Sequence, residues 1–473
     1  MRPRMNRISD QAQRPRPESA VGTKHTATEQ SWPAPGKAWY GVGVFTIVTA
    51  LALIDRQILV LLVEPIKQHL QISDTRMSLL MGFAFVMFYA FMGLPIARLA
   101  DVKSRRVIIG IGVAAWSFMT ACCGLAQNYW QLFLARIGVG AGEACYSPAV
   151  FSIVGDSFPP QQLAKASAVI STGFYLGSGA ALIVGGVIIE AATSMPNFVI
   201  PVIGEIRPWQ TTFLIVGLPG LLVACLMRTV HEPKRRGLLI HIDEHGRPVK
   251  PASLPLKVIL KWLQDDWKTY LGIYGGMAVS AMAGVGASAW LPTFFIRTYG
   301  WNAAEVGLAM GLVMLIIAPA GLLTGGFLAE WLYKKGQDDA NMRVALISSI
   351  LSVPIAILYP LMPSPYLALA LYALNIFFVS LQPGTQNAAL VQVTPNQMRA
   401  QATALYFFLV NLLGMGLGPL MIAGYTDYLF RSEADLRYSL TLHFAILGPL
   451  ACLIFWFGIK PYRASVVRAK DRE

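Results

Sequence analysis

Four charged residues stand deep within otherwise apolar stretches of this 473-residue sequence: Asp55, Arg56, Arg136 and Glu143. A charge near the middle of a bilayer costs roughly 2.5–3.5 kcal/mol on insertion scales, so residues of this kind mark ion or substrate pathways. Two acids and two bases can neutralise one another around a buried cavity. Arg136 and Glu143 are seven residues apart, which puts them on one helix face about 10.5 Å apart along the axis. Asp55 lies about 21 Å from the cytoplasmic start of its apolar stretch, and Arg136 about 10 Å from the external end of its own. In a core about 30 Å thick those depths nearly coincide, which makes Asp55 and Arg136 candidate partners. Glu143 sits lower and has no basic partner of its own in this reading. Burial disfavours the charged form of an unpaired carboxylate, which suits it to taking up and releasing a proton. Glu143 and Asp55 are therefore the expected proton-coupling residues, with Arg56 and Arg136 in a charge or substrate-binding network. The alternative is a static lock of all four charges between two helices.

The elements that must position these residues are membrane helices. The chain is 55% hydrophobic and 13% charged, with a mean hydropathy of +0.53, against about 25% charged residues in soluble domains. Twelve apolar stretches are each long enough to cross a bilayer as a helix. They are spans 1 to 12, near 40–63, 78–97, 107–126, 129–153, 166–189, 209–227, 270–296, 305–329, 344–362, 366–392, 402–426 and 440–459. Strands are not expected, because open sheet edges cannot face lipid. The expected fold is an all-α membrane protein of twelve transmembrane helices in two pseudo-symmetric six-helix bundles.

The net charge of +13 raises nucleic acid as a partner, but the distribution argues against it. Lys67, Arg76, Arg207, Arg297, Arg431 and Arg437 fall in loops on the side opposite the termini, and Arg56 and Arg136 fall within spans. The other Lys and Arg lie on the side of the termini, so both termini are expected to be cytoplasmic, in a cell (inner) membrane. Residues 1–38, basic and Pro-rich without an apolar core, read as a tail and not as a cleaved signal peptide. Cys122, Cys123, Cys145, Cys225 and Cys452 lie in apolar spans and read as small buried hydrophobes, not as a disulfide frame or metal site. No cofactor is expected.

The expected division is a tail (1–38), a first bundle (39–228), a cytoplasmic linker (229–268), a second bundle (269–460) and a C-terminal tail (461–473). In the linker, Leu256, Ile259, Leu260, Leu263 and Trp267 recur at helical spacing opposite Lys257, Lys261, Gln264 and Lys268. Such a helix lies along the leaflet or packs on the inner mouth of the bundle. The halves repeat: Met81-Gly82 followed by Leu99-Ala100-Asp101 matches Met310-Gly311 followed by Leu328-Ala329-Glu330 at one offset. Pro159, Gln161, Ala164, Ala166 and Ala168 match Pro395, Gln397, Ala400, Ala402 and Ala404 at another. Repeats of this kind place a substrate site at the midplane between halves.

After span 2 comes Ala97-Arg98-Leu99-Ala100-Asp101-Val102-Lys103-Ser104-Arg105-Arg106, echoed by Gly326-Phe327-Leu328-Ala329-Glu330. This loop resembles that of the major facilitator superfamily between helices 2 and 3, with Ala97 and Ser104 in place of the two usual glycines. Leu53-Ile54-Asp55-Arg56-Gln57, the run Arg136–Ala144 and Ser157-Phe158-Pro159 resemble the spinster-like branch. The resemblance implies proton-coupled or gradient-driven movement of a lysolipid or sphingoid-like amphiphile by alternating access. It also implies a cytoplasmic gate of Asp101, Arg105, Arg106, Asp156 and Glu330, with Asp101 facing the start of span 11 and Arg105 pairing with Asp156.

In the second half Asn375, Gln382, Asn387 and Asn411 are candidates for lining the cavity, or for bridging helices. Phe83, Phe85, Phe88, Tyr89 and Phe91 in span 2 read as packing or as an apolar cavity wall. His241, Asp243, Glu244 and His245 flank Gly246 and read as a solvated hairpin rather than a lipid-modifying active site. An enzyme is therefore not expected. With no phosphate-cradling glycine loop, ATP drive is not expected either. The expected partners are an amphiphilic small-molecule or lipid substrate, protons and membrane lipids, with the chain a monomer. The alternatives are a proton-driven multidrug or organic anion exporter and, more remotely, an integral-membrane lipid-modifying enzyme.

Overall fold

The computed structural model describes residues 32–201, 203–235, 241–242, 248–249 and 256–470. Most of the N-terminal tail and of the 236–255 segment, with the last three residues, lies outside this description, and with them Asp243, Glu244 and His245. Among the described residues, twelve helices are long and apolar enough to cross a membrane. They are Pro35–Leu61, Asp74–Gly93, Arg105–Cys123, Tyr129–Ser157, Leu176–Thr193, Pro208–Thr229, Trp267–Tyr299, Ala303–Lys334, Ala340–Leu361, Pro365–Val393, Gln401–Phe430 and Glu433–Ala469. These correspond one to one with spans 1 to 12.

The helix ends follow local chemistry. Pro35, Pro208 and Pro365 stand at the first helical positions, where a missing N–H removes no intrahelical bond. Ser73, Ser104 and Asn128 cap spans 2, 3 and 4 by accepting from Arg76, Val107 and Gln131 backbone N–H groups. Asn302 and Glu305 form a capping box at span 8. The last helix continues through Pro461 to Lys470, so the expected tail from 461 is mostly helical. Short strands do occur outside the spans: Phe198–Ile200 pairs antiparallel with Gly204–Ile206, and His241–Ile242 with Pro248–Val249. Both lie in connections between spans, where water can serve the free edges.

The linker helix Leu256–Asp265 leans on the second bundle. Ile259 is buried, Trp262 Nε1 donates to the Tyr270 hydroxyl at 2.9 Å, and Leu260 is exposed. It therefore packs on the end of the second bundle through one face and leaves another apolar side chain exposed.

Spans 5 and 8 share the longest contact between the halves, and spans 2 and 11 cross more locally. Small residues make both approaches possible. A Cβ at Gly311 would sit 2.7 Å from the Gly179 carbonyl, and one at Gly82 would collide with the Met415 carbonyl. The duplicated Met-Gly pairs thus serve equivalent crossings in the two halves. Gly82 and Met415 both lie in π-type turns, Leu79–Phe83 and Leu412–Leu417, a distortion frequent at functional sites. Gly311→Ala is expected to destabilise the protein by about 1–3 kcal/mol through overpacking, read as a lowered melting temperature in detergent. A wild-type melting temperature would refute this tight crossing.

Candidate functional site

Spans 1, 2, 3 and 4 bring the four buried charges together, but with different partners from those expected. Arg56 Nε donates to Glu143 Oε2 at 3.1 Å, and Arg56 Nη2 is bonded to the same oxygen. Asp55 Oδ2 accepts from the Thr120 hydroxyl at 3.0 Å. Among the described residues, Asp55 Oδ1, Glu143 Oε1, and Nε and Nη1 of Arg136 have no hydrogen-bond partner. The expected Asp55–Arg136 pair is therefore not formed as a direct contact, and Glu143, expected to lack a cation, has Arg56. Counting residues fixes depth along a helix but not azimuth. Asp55 and Arg56, adjacent on one helix, point to different neighbours. The short Asp55 side chain turns to span 3, while the long guanidinium arm reaches down to Glu143.

Exposure separates the four residues. Asp55, Arg136 and Glu143 are 1–2% exposed, whereas the Arg56 side chain is 25% exposed. Arg56 is thus the most exposed member of the cluster.

Phe85, expected as packing or cavity wall, lies against the charge cluster, a contact its sequence position did not announce. The Arg56 guanidinium carbon lies 4.6 Å from the centre of the Phe85 ring and that of Arg136 lies 5.6 Å from it, both within cation–π range. Tyr89 stacks on Phe85 with centroids 5.7 Å apart. Phe85 is buried, and its backbone carbonyl lies where a Cβ on Gly140 would have to be. Gly140 lets span 2 come close enough to bring the ring within reach of both cations. The i, i+4 spacing of Phe85 and Tyr89 was the available signal. Phe91, from the same aromatic cluster, is 70% exposed.

The amides of the second half divide. Gln382 Nε2 donates to the Ser348 and Ser349 hydroxyls at 2.9 and 3.1 Å, and Asn375 Nδ2 to the Ser352 carbonyl at 3.1 Å. Both are buried and tie span 10 to span 9, which takes up their donors and turns them from cavity candidates into helix bridges. Asn387 is exposed and Asn411 half-buried.

Of the residues expected to gate the terminal side, Arg105 has the expected partner Asp156, whereas the surrounding contacts differ from expectation. Arg105 is buried and pairs with Asp156, and it donates to Ser152 Oγ at 2.9 Å and the Pro233 carbonyl at 2.9 Å. Glu232 accepts from the Arg105 backbone N–H at 2.7 Å and from the Ser104 hydroxyl. Burial works against the Glu232 carboxylate, but Ser104 and Arg105 outweigh it and hold this acid below its ordinary range. Arg106 donates to the Arg228 and Val230 carbonyls at 3.2 Å each. These partners of Arg105 and Arg106 belong to the first half or the start of the linker, so the contacts strap the linker to its own bundle rather than joining the halves. Glu330 is exposed and pairs with Lys334 one turn away. The Asp101 side chain lies outside the described residues.

A second charge cluster, unforeseen in the sequence, joins the halves at the distal end, away from the termini. Arg297 of span 7 donates to Glu64 at 2.7 Å and to both Asp74 oxygens at 2.7 and 2.9 Å, and lies 3.4 Å from Glu433. Lys67 pairs with Asp74 and reaches Glu433 at 2.8 Å. Lys67 and Asp74 are buried. Beside them the Thr75 backbone N–H donates to Asp427 at 2.7 Å, and Ser78 donates to the Pro419 carbonyl at 3.0 Å. In the sequence Lys67 and Arg297 read as loop cations; nothing in their spacing connects residues so far apart in the chain.

This arrangement of two repeated helical bundles, with buried charges in the first and a charged seam between them, is the form of a secondary transporter. The Major Facilitator Superfamily model matches residues 45–419, and the chain belongs to that superfamily. It is 28% identical over 453 residues to an "MFS-type efflux pump" of Mycolicibacterium smegmatis, covering 95% of this chain and 98% of that protein. It is 22% identical over 460 residues to the sphingosine-1-phosphate transporter SPNS2 of Xenopus tropicalis, covering 91% and 83% of the two chains. Among solved structures, it resembles a bacterial homologue of the human lysosomal transporter spinster, captured inward-facing and unoccupied. That match has a TM-score of 0.73 and 23% identity, covering 93% of this chain and 99% of the other.

Proposed function

We propose that the protein is a proton-coupled secondary transporter of an amphiphilic, anionic substrate of the lysolipid or sphingoid type, working by alternating access with both termini cytoplasmic. The observation that carries this reading is the asymmetric Arg56–Glu143 pair, a partly exposed cation on a fully buried acid. A substrate anion that engages Arg56 competes with Glu143 for it. Glu143 has then lost the charge that balanced it, and a proton takes the place of the departed cation. Substrate binding and proton uptake are then one exchange at one guanidinium. Asp55, bonded to Thr120 rather than to a cation, is a second carrier in the same cluster. The distal charge seam supports a state closed on the external side, with Arg56 reached from the cytoplasm.

The kinship to an efflux pump supports a second reading, a proton-driven exporter of drugs or organic anions on the same scaffold. One assay separates the two: proteoliposomes holding a pH-sensitive dye, challenged with lysophosphatidylglycerol, a cationic dye or a hexuronate. Lysophosphatidylglycerol is expected to move protons in the wild type and to fail in Arg56→Gln. Proton movement with the cationic dye or the hexuronate alone would transfer the assignment to the second reading.

A further inference from the structure

Where the first turn of span 1 meets the end of span 6, a groove of about 300 Å³ opens at the surface. Lys37, Arg106, His231, Tyr40 and Thr229 line it together with Gly36 and Val230, and no acid is among these described residues. Lys37 and His231 are exposed. Arg106 uses Nη1 on the Arg228 and Val230 carbonyls, which leaves Nε and Nη2 for another acceptor. The Tyr40 hydroxyl is 2.6 Å from Thr229 Oγ1, which fixes one wall. Glu232, next in sequence to His231, is taken by Ser104 and Arg105, so it does not neutralise the groove. Span 1 begins here with Pro35 and runs 27 residues, so the positive end of its dipole adds to the field.

The groove lies at the ends of spans, at the level of lipid headgroups. Toward the membrane interior the same helices carry exposed apolar side chains: Tyr40 and Ile47 on span 1, Ile111 on span 3, and Leu222 and Leu226 on span 6. A cationic recess above an apolar wall has the chemistry of an amphiphile with an anionic head. Basic pockets between membrane helices are suited to phospholipid headgroups. We propose that this groove binds the phosphate of an anionic membrane phospholipid. Lys37, Arg106 and His231 hold the phosphate, and the acyl chains lie along Tyr40, Ile47 and Ile111. The site is separate from the charge cluster around Arg56. Its occupant tethers the first turn of span 1, span 3 and the start of the linker to one lipid.

Native mass spectrometry of the full-length protein tests this, with phosphatidylglycerol, phosphatidylcholine and inorganic phosphate offered separately and in competition. The wild type is expected to retain phosphatidylglycerol over phosphatidylcholine. Lys37→Gln is expected to weaken that retention about fivefold, the worth of one cation near an anionic headgroup, and Lys37→Glu more. Because Lys37 is exposed, both variants are expected to keep the wild-type melting temperature without lipid. Equal retention of the two lipids by the wild type would overturn the proposal, as would unchanged preference in both Lys37 variants. Displacement of phosphatidylglycerol by millimolar inorganic phosphate would show that the recess takes a free anion instead.

Discussion

Glu143→Gln is expected to abolish proton-driven transport in proteoliposomes, a loss of at least about a hundredfold, while substrate-independent folding survives. The size follows from the mechanism: glutamine can neither balance Arg56 nor carry a proton, so exchange at the guanidinium has no partner. The same substitution leaves Arg56 without its counter-charge. Breaking one side of a buried pair costs about 3–5 kcal/mol, and the lower end applies because Arg56 is one quarter exposed. Arg56→Gln combined with Glu143→Gln should therefore recover most of the lost thermal stability without recovering transport. That split between melting temperature and flux separates a coupling role from a merely structural pair. Asp55→Asn breaks no direct ion pair and should leave the melting temperature near wild type while impairing coupling. Full proton-coupled flux in Glu143→Gln would remove the assignment.

Arg297→Gln should shift the molecule toward a state open at the distal end. Arg297 holds Glu64 and Asp74 across the seam, and those contacts exist only while the two halves touch there. A two-state element moves by its differential contact energy. Loss of one partner in a buried network, at about 3–5 kcal/mol, corresponds to a change of about a hundredfold or more in the ratio of states. Spin labels at Gln68→Cys and Ala434→Cys, in a background whose native cysteines are replaced, should report a longer distance in Arg297→Gln. Because Lys67 and Asp74 are buried, the wild-type distance should be insensitive to salt. An unchanged distance distribution in Arg297→Gln would show that the seam is not the element holding the distal side shut.

The positions of the charges in the sequence predicted the cluster but not its pairing. Depth along a helix is a count of residues at a fixed rise, so Asp55, Arg56 and Arg136 fall at neighbouring levels, and Glu143 about two turns lower, by their positions in the chain alone. Pairing depends on azimuth and on which helices touch, and those are set by packing. Gly140 admits the Phe85 backbone, the Phe85 ring reaches both guanidiniums, and Thr120 arrives from span 3. Arg105 shows the same division. Its partner Asp156 was expected from resemblance, but the Ser152, Pro233 and Glu232 contacts that make a linker strap depend on where the chain goes after span 6.

What the sequence determined by itself is the set of properties that are local or periodic. Twelve apolar stretches of bilayer length define the spans, because a backbone in lipid must satisfy its hydrogen bonds within one helix. The Met-Gly repeat between Met81-Gly82 and Met310-Gly311 marked two related halves. What only the tertiary structure decided is every contact between helices far apart in the chain. The seam of Glu64, Lys67 and Asp74 with Arg297 and Glu433 joins residues more than 200 positions apart, and Gln382 and Asn375 became bridges only because the serines of span 9 lie opposite them. In lipid no hydrophobic force selects which apolar faces meet. Small residues and a few polar side chains do so, and which pairs they form is a property of the assembled bundle.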